Sequence, residues 1–338
     1  SQIEQLMSEA DENGASVIVF PELCVTGYTC ADLFQSQLLL DQALEALGDV
    51  IEYTKTEVRL TTILGAPLRI DNQLFNCAIV IREGKILAIV PKTYLPNYNE
   101  FYEMRWFASS TDTMRDTVNL LGQKNIPFGR NIVLQAEEFS FGIEICEDLW
   151  TPIPPSSILA LSGAQLIFNL SASNELIGKH NYLVDLIKQQ SARTISGYIY
   201  SSAGFGESST DLVYAGNGII AENGTILERN RSKILVPVDL SRESEKIVEA
   251  SFRFAQHINA DIVFLYSYFM PDHSFFPNRT EAAYVKDLEQ KQQSIILEES
   301  ANFKQFISGV EQKIVDGVLP KIKYMYVMEE GVPEDAIV

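Results

Sequence analysis

Three residues of different chemistry each stand just past a buried apolar run. Glu22 follows one in Phe20-Pro-Glu22-Leu, Lys92 another in Val90-Pro-Lys92-Thr-Tyr94, and Cys146 ends a third in Ile143-Glu-Ile-Cys146-Glu-Asp-Leu-Trp150. Taken singly, each has an ordinary role: a solvated strand-end carboxylate, a surface lysine, a small buried hydrophobe. Taken together, a carboxylate, an ammonium and a thiol past the carboxyl ends of buried strands converge at one edge of a layered sheet. A thiol attacks a carbonyl as the thiolate; a nearby ammonium lowers its pKa, and a carboxylate within hydrogen-bond reach takes its proton. Glu22 is then the base and Lys92 the electrostatic stabiliser. The oxyanion of the tetrahedral intermediate needs donors, which the Lys92 ammonium and the backbone N–H of Glu147 supply. On an amide, such a set releases ammonia and leaves a thioester for water to hydrolyse.

The elements that must position these groups are short and β-rich. Strands are predicted over 16–20, 61–66, 76–81, 86–90, 139–146, 165–170 and 198–202, several of them apolar on consecutive positions and therefore buried on both faces. Helices are predicted over 37–53, 156–162 and 181–196, with hairpin turns at Glu83-Gly84-Lys85 and Glu222-Asn223-Gly224. This is a layered α/β pattern with mixed sheets. Past Arg231 the pattern becomes a βαβ series: strand 233–239, helix 244–258, strand 261–268, helix 281–318 and strand 324–328, which leads into Glu330-Gly-Val-Pro333. The expected domains are 1–231 and 232–338, with 271–279 a loop or dimer-contact insertion.

Composition removes whole classes of function. The 338 residues carry 26 Lys and Arg against 45 Asp and Glu, a net charge of -19 that repels nucleic acid and anionic membranes. No apolar run approaches the ~18 residues of a membrane span. Four cysteines without a CxxC pair and three histidines make neither a disulfide framework nor a zinc site, so no metal and a cytoplasmic location are expected. Ile3, Leu6, Met7 and Ala10 recur at helical spacing, so the chain is expected to open inside a helix, with its natural start upstream.

Phe20-Pro-Glu22-Leu-Cys-Val-Thr-Gly-Tyr28, Pro91-Lys92-Thr-Tyr-Leu-Pro-Asn-Tyr98-Asn-Glu100-Phe-Tyr-Glu103-Met-Arg-Trp-Phe107 and Ile145-Cys146-Glu-Asp-Leu-Trp150 resemble the Glu, Lys and Cys motifs of the nitrilase superfamily. Within it they look most like the glutaminase domains of glutamine-dependent NAD+ synthetases. The resemblance covers about 1–231. It implies an αββα sandwich that hydrolyses the side-chain amide of L-glutamine with no cofactor and passes ammonia to a synthetase domain. By position, Glu22, Lys92 and Cys146 are the triad, and Glu100 is the second carboxylate that orients the site, with Glu103 as the fallback. Tyr28, Tyr98, Trp150, Ser173 and Lys179 match places where the family contacts glutamine, and Glu103 and Glu147 stand beside them. The family's strand ahead of the first helix is absent, and so is the Ser-Gly-Gly-x-Asp-Ser loop of its synthetase domain. NAD+ formation is therefore expected to need a separate ammonia-accepting, ATP-dependent synthetase domain or subunit.

Ser232-Lys-Ile-Leu-Val-Pro-Val-Asp239-Leu-Ser241, Ala260-Asp-Ile-Val-Phe-Leu-Tyr266 and Glu330-Gly-Val-Pro-Glu-Asp335 resemble a universal stress protein, clipped at its carboxyl end. That resemblance implies a partial Rossmann-like α/β segment and, in some members, ATP or AMP, with Val238 and Asp239 where the adenosine sits; alternatively Asp239 caps the following helix. Both resembled families assemble, so a homo-oligomer is expected. Two other functions compete with glutamine hydrolysis: a nucleotide-binding stress-response module, and a nitrilase-family amidase acting on another amide or a nitrile.

Overall fold

The computed structural model describes residues 1–176, 178–209, 212–230, 233–258, 260–268 and 281–330. The chain divides into two compact units, Ser1–Asn230 and Arg231–Val338. In the first unit α1 (Gln2–Glu12) is started by Ser1, whose hydroxyl accepts the Glu4 N–H, and leads to β1 (Val17–Val19). After α2 (Gln37–Thr56) come β2 (Thr61–Ile70), β3 (Gln73–Arg82) and β4 (Lys85–Pro91). Their hairpins turn at Asp71-Asn72 and Glu83-Gly84, all four residues at positive φ, the geometry that matches the twist of the flanking strands. The sheet order is β1-β2-β3-β4.

A small hairpin, β5 (Thr117–Leu120) with β6 (Gln123–Pro127), precedes the second sheet. That sheet is built from β7 (Val133–Gln135), β8 (Ser140–Ile145), β9 (Leu166–Ser171), β10 (Gly197–Ser202), β11 (Gly218–Glu222) and β12 (Thr225–Arg229), side by side in chain order. α3 (Pro155–Leu161) and α4 (Lys179–Thr194) make its crossovers. Ile63, Val80 and Val90 of the first sheet pack against Ile143, Phe168 and Leu170 of the second. Leu47 and Ile51 of α2 cover the outer face of the first sheet, and Leu183 and Ile187 of α4 that of the second. The expected αββα sandwich is thus formed, and its apolar interior explains why β2, β3 and β8 read as largely apolar runs.

Gly65 lies in β2 where the segment carrying Glu22 crosses it. A Cβ there would stand 2.2 Å from the Leu23 nitrogen and 2.8 Å from the Pro21 oxygen. Gly65→Ala is expected to destabilise the unit by about 1–3 kcal/mol and to lower turnover by displacing Glu22. Thermal unfolding beside an amide-hydrolysis assay checks this; wild-type values in both would show that the crossing is not tight.

The second unit contains β13 (Lys233–Pro237), α5 (Arg242–Ile258), β14 (Asp261–Tyr268), α6 (Glu281–Val315) and β15 (Tyr324–Glu330), with the strands parallel in the order β13-β14-β15. Val248, Phe252, Phe303 and Ile307 of the helices pack on Val236, Ile262 and Phe264 of the sheet, the Rossmann-like arrangement expected. The predicted insertion at 271–279 and the segment 331–338 lie outside the described residues. No described helix is long and apolar enough to cross a membrane.

Candidate active site

Glu22 sits three residues beyond β1 and Lys92 one beyond β4, and both are fully buried. The Glu22 N–H reaches the Ser171 carbonyl of β9 at 3.3 Å, and the Lys92 N–H reaches the Asn76 carbonyl of β3 at 2.8 Å. The Lys92 Nζ donates to Glu22 Oε1 at 2.7 Å and to Glu103 Oε1 at 2.7 Å, with all three side chains at most 1% exposed. Asn76 Nδ2 donates to Glu22 Oε1 at 2.6 Å, and the Tyr28 hydroxyl to Glu103 Oε1 at 2.8 Å. The second carboxylate on the ammonium is therefore Glu103, where the sequence put Glu100 first. Glu103 is drawn inward because its N–H bonds the Pro96 carbonyl at 3.1 Å, folding the loop after Lys92 back on itself. Glu100 instead accepts from Asn174, whose Oδ1 accepts from Lys179 Nζ at 2.7 Å.

Cys146 closes β8 and opens a short helical turn through Trp150 with its own φ at 46°, a left-handed conformation unusual for a residue with a side chain. Two buried carboxylates hold this turn. Asp148 accepts from the Ile145 N–H at 2.9 Å and from the Thr93 and Tyr94 N–H groups at 3.2 and 2.8 Å, so one side chain ties the thiol's turn to the segment after Lys92. Glu144 accepts from the Tyr198 hydroxyl and from the Ser156 N–H. Tyr198 in turn accepts from Asn169 Nδ2 at 3.0 Å, which leaves Asn169 Oδ1 facing the Cys146 N–H at 3.2 Å. None of Asn76, Glu144, Asp148, Asn169 or Tyr198 was marked as part of the site by the sequence. They act from neighbouring strands and turns, and only the pairing of those elements brings them to the triad.

The electrostatics follow from burial. Desolvation alone would push the Lys92 ammonium down, but the Glu103 and Glu22 carboxylates outweigh it and hold it well above its ordinary value. Burial pushes Glu103 well above its ordinary 4.5, with Lys92 opposing and Glu22 assisting. Burial and then the Glu22 charge also raise the Cys146 thiol, against Lys92. Lys92 lowers the thiol as expected, but burial and the Glu22 charge outweigh it.

The remaining expected residues form an outer ring. The Tyr98 hydroxyl donates to both Glu147 oxygens at 2.9 and 3.0 Å, Trp150 stacks on Tyr182, and Lys179 Nζ lies 5.3 Å from the centre of the Trp150 ring. Ser173 is buried, its N–H on the Ser202 hydroxyl at 3.2 Å. A cleft of about 480 Å³ beside this ring is walled by Tyr28, Glu100, Phe101, Tyr102 and Trp106. In the second unit Val238 is buried, and the Asp239 carboxylate accepts from the Ser241 N–H at 2.9 Å and the Ser244 hydroxyl at 2.6 Å, which hold it down at about 2. Asp239 thus secures the turn into α5, at the mouth of a cleft of about 560 Å³ that also touches Tyr266, Glu299 and Lys313.

An αββα sandwich with a thiol, an ammonium and two carboxylates buried beyond the ends of its strands fits the hydrolases of carbon–nitrogen bonds. The chain belongs to the carbon-nitrogen hydrolase family, which matches residues 1–269, and it is an enzyme of the nitrilase superfamily. The Universal stress protein family matches residues 230–338. The glutamine-dependent NAD(+) synthetase of Mycobacterium tuberculosis (strain ATCC 25618 / H37Rv) is 40% identical over 219 residues, 64% of this chain and 32% of that protein. The chain thus spans about a third of the length of such curated relatives. The crystal structure of a glutamine-dependent NAD(+) synthetase from Cytophaga hutchinsonii superimposes with a TM-score of 0.60 at 20% identity, covering 96% of this chain and 61% of that one. A variant of the amidase from Nesterenkonia sp. AN1, showing covalent addition of the acetamide moiety of fluoroacetamide at the active site cysteine, matches with a TM-score of 0.54 at 17% identity, covering 68% of this chain and 78% of that one.

Proposed function

We propose that the Ser1–Asn230 unit hydrolyses the side-chain amide of L-glutamine through a Cys146 thioester, and that its ammonia goes to an ATP-dependent synthetase domain or subunit that forms NAD+. The observation that carries this reading is the buried ammonium of Lys92, 2.7 Å from each of two carboxylates. The synthetase relatives support glutamine as the donor, and the amidase with an adduct on its cysteine supports the covalent route.

Each group has one task. Glu22 Oε1 is occupied by Lys92 and Asn76, whereas Oε2 has no protein partner, so Oε2 takes the Cys146 proton. Sulfur then bonds to the amide carbon, and the oxyanion is met by Lys92 and the Glu147 N–H. Glu22 returns the proton to the nitrogen, the carbon–nitrogen bond breaks, and ammonia leaves. Water, deprotonated by Glu22, attacks the thioester; the carbon–sulfur bond breaks and the thiolate recovers the proton. The outer ring of Glu100, Glu147, Tyr98 and Lys179 offers both signs of charge to the α-amino and α-carboxylate groups of an amino acid.

Ammonia release by the full chain from L-glutamine, with L-asparagine and acetamide alongside, tests the reading. Turnover of glutamine above the other two is expected. Turnover of acetamide alone would assign an amidase of other specificity, and no turnover in a folded chain removes amide hydrolysis.

A further inference from the structure

Four tyrosines of the described residues are buried: Tyr28, Tyr198, Tyr200 and Tyr214. Three have their hydroxyls satisfied by protein, on Glu103, Glu144 and Ser171 respectively. The fourth does not: Tyr214 is 2% exposed and its hydroxyl has no partner. Burying a hydroxyl without a hydrogen bond gives up hydration for nothing in return, so such a group calls for an explanation.

Its location supplies one. The Tyr214 ring meets the Tyr28 ring edge-on, centroids 6.3 Å apart at 68°, and Tyr28 is the residue that donates to Glu103. It shares an apolar cluster with Leu23 and Ala172, the residues that follow Glu22 and Ser171 in the chain. The Tyr214 N–H is fixed on the Ser208 hydroxyl at 3.1 Å, so the residue is not free to turn away. Burial first, then the negative charge available to Cys146, Glu22, Glu207 and Glu103, keeps the hydroxyl protonated. The other polar atoms without partners at this edge are Glu22 Oε2, Glu103 Oε2 and Asn76 Oδ1, all acceptors. A primary amide carries two N–H groups and one carbonyl; the open acceptors complement the N–H groups, and the one open hydroxyl complements the carbonyl.

We propose that the Tyr214 hydroxyl is a substrate-binding donor, hydrogen-bonded to the primary amide during hydrolysis at Cys146. This rests on the proposed amide hydrolysis, and the two fail differently. A wild-type chain that releases no ammonia from any amide removes the hydrolysis reading and this proposal with it. Turnover that is present but indifferent to Tyr214 removes the proposal alone.

Tyr214→Phe removes one oxygen that no protein group needs. The expected result is a thermal midpoint no lower than wild type, with kcat/KM for the amide reduced about 5- to 10-fold and an unchanged rate of Cys146 alkylation by a small neutral reagent without an amide, bromoacetone. Unchanged kcat/KM would overturn the proposal, leaving the hydroxyl a packing liability. A lower midpoint overturns it as well, because the hydroxyl then has work within the folded chain. Slowed alkylation does so too, by showing action on the thiol instead of the substrate.

Discussion

Replacing Cys146 with alanine is expected to reduce ammonia release by about a thousandfold or more, while the chain stays folded. The thiol is the only group at the site that can hold the acyl carbon, and without it the reaction must proceed by direct attack of water. Stability has little reason to fall. Cys146 is 7% exposed and already at φ 46°, a conformation no harder for alanine than for cysteine. What is lost is one small buried group, whereas the main-chain N–H groups of Cys146 and Ile145 still donate to Asn169 Oδ1 and Asp148 Oδ2. A kinetic assay, thermal unfolding and a mass spectrum taken during turnover together decide it. An acyl adduct on the wild type and none on the variant is the expected pair; turnover retained in Cys146→Ala removes the residue as nucleophile.

The triad is legible in the sequence because each member stands next to a strand whose apolar run is unmistakable. β2, β3, β8 and β9 lie between two layers, so almost every side chain is buried and the runs are largely apolar. β5, β6 and β7 carry no such signal. In β5 and β6 only Val118 and Ile126 are buried, the first between Thr117 and Asn119 and the second between Asn125 and Pro127. The supporting polar residues fail to show for another reason: Asn76, Glu144 and Asn169 sit inside strands, where the sequence pattern records only that a polar residue interrupts an apolar run. Which interruption reaches the thiol depends on strand pairing, such as the parallel register that sets Glu144 beside Asn169. The thiol's raised pKa was hidden similarly, since neighbouring residue types show the charges but not the degree of burial, and burial is the larger cause.

The choice between Glu100 and Glu103 is where sequence and structure part most clearly, and it makes a sharp experiment. Both acids stand in a turn-rich loop without periodicity, so nothing local separates them; the Pro96 carbonyl and the Tyr28 hydroxyl do. Glu103→Gln removes one of the two negative charges on Lys92, weakening its hold on the ammonium that must meet the oxyanion. A loss of about 10²- to 10³-fold in kcat is expected, by comparison with deletion of a single transition-state donor. Glu100→Gln, which keeps an acceptor for Asn174 at the outer ring, is expected to act mainly on KM and to leave kcat within about threefold. Glu103→Gln should also differ from wild type in pH dependence. Glu103 is held well above its ordinary 4.5, so the proton favours the folded chain. Its contribution to stability is complete below that ordinary value and is lost as pH rises through the raised one. Glutamine at 103 stays neutral, so Glu103→Gln should lose less stability between acid and neutral pH than wild type. Denaturant unfolding at several pH values measures this, and equal slopes in both chains would show that burial does not raise the Glu103 carboxyl.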